Sequence, residues 1–117
     1  MKVLQFGGGK DSLTCLHLLK PEWDQITVVW LNTGASFPET MALMHRIREQ
    51  VPHFVEVRSD VLSDIDRNGW PSDVVPTASS EWGKQGTLTP GIKVRSWVEC
   101  CFSNFWQPLD AKMREMG

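Results

Sequence analysis

The sequence predicts an α/β fold with a Rossmann-like parallel sheet and an irregular, loop-rich second half. Two observations carry that prediction. Over residues 1–60, short apolar runs of strand formers alternate with stretches of helical spacing, the pattern that builds a parallel sheet with right-handed crossovers. Three consecutive glycines, Gly7-Gly8-Gly9, then join the first strand directly to the first helix, a junction suited to close backbone approach by a ligand.

Lys2 to Phe6 is short, largely apolar and runs into those glycines, so it reads as a buried strand. From Asp11 the spacing turns helical, with Leu13, Leu16, Leu19 and Cys15 placed on one buried face until Pro21 stops the helix. Ile26 to Leu31 is apolar apart from Thr27, as expected of a strand covered on both faces, and Asn32-Thr33-Gly34 ends it. Pro38 opens a second helix, Glu39 suits its positive end, and Met41, Met44, Ile47 and Val51 recur at helical spacing up to Pro52. Phe54 to Val57 is the third strand. Beyond Asp60 periodicity weakens, and Asn68 to Gly91 carries clusters of Gly, Pro, Ser and Thr that read as a long loop. A helical segment is expected from Ile92 through Trp97 towards Phe105, and another from Asp110 to Met116.

A chain of 117 residues with 41% hydrophobic side chains suits one domain. Residues 1–60 would form its βαβαβ core and residues 61–117 its loop and helical segments. The net charge of −2 argues against a broad basic surface for nucleic acid. No run reaches the roughly 18 to 20 apolar residues of a membrane helix, and no signal-peptide core follows Met1, so a cytoplasmic protein with no membrane partner is expected. Three cysteines are too few for a secreted disulfide framework. His17, His45 and His53 are scattered without ligand spacing, and no metal site is expected from them. Six tryptophans occur with no tyrosine, and Trp70, Trp82, Trp97 and Trp106 fall in the second half. Core packing is the plainer account; a homo-oligomer or protein-partner surface in that half is the other.

Gly7-Gly8-Gly9-Lys10-Asp11-Ser12 stands between strand and helix, where free N–H groups and the helix dipole favour an anion. Ser12 adds a hydroxyl and Lys10 a positive charge, while Asp11 can cap the helix or position Mg²⁺. A Walker A loop needs Ser or Thr directly after Gly-Lys, but Asp11 intervenes. A dinucleotide fingerprint needs glycine where Ser12 stands and an acidic residue about twenty positions on, where the chain has Asn32.

The segment resembles instead the Ser-Gly-Gly-x-Asp-Ser PP-loop of the adenine-nucleotide α-hydrolase-like superfamily, with Gly7 in place of the first serine. Asn32-Thr33-Gly34-Ala35-Ser36-Phe37-Pro38-Glu39-Thr40 is similar to the Asp-Thr-Gly-x-x-Phe-Pro-Glu-Thr signature of phosphoadenosine-phosphosulfate reductases, with Asn32 for the aspartate. The resemblance implies that Gly7 to Ser12 hold the phosphate or sulfate groups of an adenine nucleotide, either ATP or a sulfated relative. It also implies that Leu31, Asn32, Thr33 and Gly34 lie beside the nucleoside.

Cys100-Cys101, followed by Pro108-Leu109, resembles the Cys-Cys segment of cluster-containing sulfonucleotide reductases. Those enzymes add a later Cys-x-x-Cys pair and a carboxy-terminal Glu-Cys-Gly-x-His segment, neither of which occurs up to Gly117. The match is to a form of the family shortened at the carboxy terminus, and a complete iron-sulfur cluster within one chain is not expected. Cys100 and Cys101 are the candidate catalytic thiols, and Lys93 and Arg95 the candidate anion contacts. The resemblance implies thiol-dependent reduction of a sulfonucleotide, with a thiol donor as partner, or attack at the nucleotide α-phosphate. A module of the same fold that binds a nucleotide or a protein without turnover is the alternative.

Overall fold

The computed structural model describes residues 1–73 and 94–117. Trp82, Lys93, residues 74–91 of the expected loop and the expected helix start at Ile92 lie outside the described residues.

Three parallel strands form the main sheet in the order β1 (Lys2–Gln5), β2 (Ile26–Asn32), β3 (Phe54–Arg58). The central strand fixes the register of both neighbours: Leu4 lies beside Val28, and Asn32 beside Arg58. Val28, Val29 and Trp30 are all buried, which explains the apolar run from Val28 to Leu31 in β2. With α1 (Lys10–Leu18) and α2 (Pro38–Gln50) as crossovers, the first half is the α/β, Rossmann-like arrangement that the residue pattern predicts. Phe6, Leu16, Val28, Trp30, Met44, Ile47 and Val51 form one buried cluster joining both helices to the sheet.

Details of the first half differ from the prediction. Cys15 is exposed, not buried. Leu16 carries the buried face of α1, and Cys15 sits about 100° around the helix from it. Pro21 does not simply end the helix but starts a 3₁₀ turn, Lys20–Gln25, pinned to α1 by the Trp23 indole donating to the Leu16 carbonyl at 2.8 Å.

A third helix, α3 (Val61–Asn68), follows β3 where the periodicity weakens. Its start is set by Asp60, whose carboxylate accepts from the Ser63 amide at 3.1 Å and the Ser63 hydroxyl at 2.7 Å. It ends at Gly69, whose φ of 105° favours glycine. Trp70–Ser72 and Val94–Ser96 are strands, β4 and β5, paired in parallel, where a loop and a helix were expected. Residues 97–116 form one continuous helical run: α4 (Trp97–Cys101), a π-helical stretch (Phe102–Trp106) and α5 (Gln107–Met116). Among the described residues no helix is long and apolar enough to cross a membrane.

What ties this second half together is polar. Asp64 is buried in α3 and accepts from the Arg95 guanidinium of β5, from Asn104 Nδ2 at 2.6 Å and from Asn68 Nδ2 at 2.7 Å. Asn104 also donates to the Cys100 carbonyl at 3.0 Å, and its own carbonyl accepts from Ser59 Oγ at 2.9 Å, just past β3. The Arg95 hydrogen bond lowers the Asp64 carboxyl pKa; burial opposes it and Asn104 and Asn68 assist, leaving it at about 2.

Two predictions follow from this packing. Gly8 has a φ of 81°, and a Cβ there would stand 3.0 Å from the Met44 methyl, so Gly8→Ala should cost about 1 to 2 kcal/mol. Gly7, with nothing within 4 Å of its would-be Cβ, is the control. Urea denaturation giving equal losses for the two variants would contradict this. Asp64→Asn should destabilise by about 3 kcal/mol near neutrality, because it leaves Arg95 buried without its counter-charge. A depressed carboxyl pKa contributes stability above its ordinary value of 3.8 and loses it as pH falls towards about 2. The gap between wild type and variant should therefore hold from about pH 7 to 5 and narrow between about pH 4 and 2; a gap independent of pH would contradict the charge argument.

Candidate functional site

The carboxyl ends of β1, β2 and β3 face one side, so the segments leaving them lie along one edge. After β1, the chain enters α1 through Gly7, Gly8 and Gly9 with no side-chain cap on the helix. The N–H groups of Lys10, Asp11 and Ser12 belong to the first turn, which has no intrahelical acceptors. Ser12 Oγ donates to the Gly9 carbonyl at 3.0 Å, and its oxygen keeps lone pairs for another partner. Lys10 and Asp11 are exposed. Gly8 is pressed by Thr40, Leu43 and Met44 of α2, so the second helix backs the glycine loop.

At the end of β2, Asn32 has two structural tasks. Its Oδ1 accepts from the Gly34 amide at 3.0 Å, and its Nδ2 donates to Glu56 Oε1 at 2.9 Å. The first contact turns the chain; the second ties β2 to β3. Leu31 and Thr33 are half-buried, while Gly34 is exposed with a φ of 82°. The Asn32 and Thr33 carbonyls accept from the Ser59 and Val61 amides at 3.0 and 3.1 Å, lacing the segments after β2 and β3 together.

Arg58, Ser59 and Asp60 follow β3 and, with Asn32 and Gly34, line a crevice of about 400 Å³. Sequence reasoning missed this wall of the edge. The signal lay in the third strand itself, because residues just past a parallel strand belong to the ligand edge of an α/β sheet. Glu56 organises it: Arg48 donates to Oε2 at 2.8 Å, and Arg58 Nε to Oε1 at 3.1 Å. Partial burial raises the Glu56 carboxyl pKa, but hydrogen bonds from Asn32, Arg58 and Arg48 outweigh it and hold the pKa below its ordinary value.

The remaining candidates lie elsewhere. Cys100 is buried and Cys101 half-buried, on consecutive positions of α4. Cys100 packs with Asn104 and Arg95, in the cluster around Asp64 beyond β3, whereas the glycine loop follows β1 at the other edge of the sheet. Arg95 is buried and ion-paired with Asp64, and borders a separate open groove of about 600 Å³ with Glu99 and Phe102. Among the described residues no three His, Cys, Asp or Glu side chains converge on a metal position. Cys15 is exposed on α1, on a different element from Cys100 and Cys101.

Comparison with known families matches the chain to the phosphoadenosine phosphosulfate reductase domain over residues 2–96. No curated protein and no solved structure matches the chain. The matched span contains the glycine loop, the Asn32 to Thr40 segment and the end of β3, and it stops before Cys100 and Cys101. It covers well over half of the 117 residues, and with the parallel sheet and its glycine loop it establishes that the chain belongs to the phosphoadenosine phosphosulfate reductase domain family.

Proposed function

We propose that Gly7 to Ser12 bind the phosphate or sulfate groups of an adenine nucleotide, with its nucleoside lying along Leu31, Asn32, Thr33 and Gly34. The observation that carries this reading is the uncapped start of α1 behind a glycine loop. Its first-turn N–H groups and the positive end of the helix dipole suit an anion, and Lys10 adds a full charge. Asn32 favours the same placement, since its side chain is occupied in shaping the β2 end and Gly34 beside it is exposed without a side chain.

Such a site favours chemistry in which a phosphate-bearing leaving group gains negative charge. In sulfonucleotide reduction, a thiolate attacks sulfur and the S–O bond breaks towards the nucleotide phosphate. In α-phosphate chemistry, pyrophosphate leaves. Donors already aimed at the departing oxygens stabilise either transition state without reorganisation. For the first reaction the attacking thiol is best supplied by a separate thiol donor, because Cys100 is buried with the Asp64 cluster.

Calorimetry with ATP, AMP, adenosine phosphosulfate and phosphoadenosine phosphosulfate tests the binding reading. Lys10→Ala and Ser12→Ala should each weaken the best ligand about 10-fold or more, the effect of one lost charge-assisted hydrogen bond, with folding intact by circular dichroism. Unchanged affinity in both variants would remove the site from this loop. The Cys100→Ser, Cys101→Ser double variant should bind that ligand as wild type does. Lost affinity in a well-folded double variant would bring these thiols into the site.

A further inference from the structure

Glu56 is a carboxylate where a covered strand face would ordinarily carry an apolar side chain. It stands opposite Trp30, its side chain is only 10% exposed, and it lines a small cavity of about 100 Å³ with Trp30, Met44 and Phe54. A carboxylate in such a place is costly unless donors surround it. Three do: Asn32 Nδ2 at 2.9 Å, Arg48 Nη2 at 2.8 Å and Arg58 Nε at 3.1 Å. Arg48 and Arg58 are exposed, so their share is that of surface ion pairs. The Asn32 contact is the part-buried one.

That contact decides which way the Asn32 amide points. An amide has one donating and one accepting end, whereas a carboxylate only accepts. Glu56 therefore takes the Nδ2 end and leaves Oδ1 to accept from the Gly34 amide at 3.0 Å. Turned the other way, Asn32 would set oxygen against oxygen and N–H against N–H, losing both bonds. The Gly34 turn, with its φ of 82°, is thus held by Asn32 and, through Asn32, by Glu56. The same geometry accounts for the residue type at position 32. Aspartate, which the similar family signature carries there, would bring two carboxylates into hydrogen-bonding distance, where like charges repel.

We infer that Glu56 is a positioning residue for the nucleoside: its carboxylate holds Asn32 in the orientation that shapes the strip from Asn32 to Gly34, so nucleotide affinity depends on this pair presenting one donor and one acceptor. This rests on the nucleotide reading above and adds the residue that sets its nucleoside end. Glu56 touches no ligand and acts through Asn32.

Calorimetry with phosphoadenosine phosphosulfate and with inorganic pyrophosphate tests it, on wild type, Asn32→Asp and the exchanged pair Asn32→Asp, Glu56→Gln. Pyrophosphate engages the glycine loop alone, and the exchange keeps the net charge while again setting a donor against an acceptor. Asn32→Asp should weaken the nucleotide about 10-fold or more and pyrophosphate less than about twofold. The exchanged pair should bind the nucleotide within about threefold of wild type. Unchanged nucleotide affinity in Asn32→Asp, an equal loss for both ligands, or an exchanged pair no better than Asn32→Asp would overturn the positioning role and leave the glycine-loop reading intact. Should Asn32→Asp not fold, the exchanged pair carries the test: a wild-type circular dichroism spectrum with near wild-type nucleotide affinity supports the role, and failure to fold or to bind overturns it. Wild type binding pyrophosphate but not the nucleotide would overturn the nucleoside placement and this role with it. Wild type binding neither would overturn the glycine-loop reading as well.

Discussion

The parallel pairing of β2 with both β1 and β3 is the constraint on which the rest of the structure depends. Parallel strands cannot be joined by tight hairpins, so each connection must cross over, and α1 and α2 supply the crossings. The same geometry sends all three strands out at one edge, which gathers Gly7 to Ser12, Asn32 to Gly34 and Arg58 to Asp60 side by side. A change of register at β2 would scatter them. Burial of Val28, Val29 and Trp30 secures that register from both faces, since a slip of one residue would exchange the faces.

Around this edge, polar contacts do what apolar packing cannot. Glu56 joins Asn32, Arg48 and Arg58, so the shape of the β2 end and the charge at the β3 end depend on one carboxylate. A separate cluster around Asp64 holds α3, β5 and the last helical run against one another. Ser59 links the two regions by donating to the Asn104 carbonyl. The second half is thus held at β3, and its cysteines belong to that cluster.

The first half of the fold was legible because its elements are long enough to show a period and are bounded by strong breakers. Pro38, with Met44, Ile47 and Val51 behind it, marks α2 without help from the rest of the chain. The second half withheld its elements for physical reasons. β4 and β5 have three residues each, too few for a strand pattern, and each pairs with a segment distant in sequence. The eight residues of α3 were detectable only through their ends, Asp60 with Ser63 and Gly69. Cys15 was misplaced because leucine spacing alone does not fix the rotation of a nine-residue helix to within one side chain. At the site, the glycine loop and the Asn32 segment stood out as motifs. The contribution of β3 did not, because Arg58 acquires its position only through its pairing with Asn32.

The central claim is that the uncapped start of α1 receives an anionic group of an adenine nucleotide. Amide chemical shifts in a nitrogen-15 labelled sample, followed while phosphoadenosine phosphosulfate is added, test it most directly. The account predicts the largest shifts at the amides of Gly8, Gly9, Lys10, Asp11 and Ser12, with smaller ones at Gly34 and Ser59. Saturable shifts confined to residues 95–104, with the glycine loop unmoved, would contradict it.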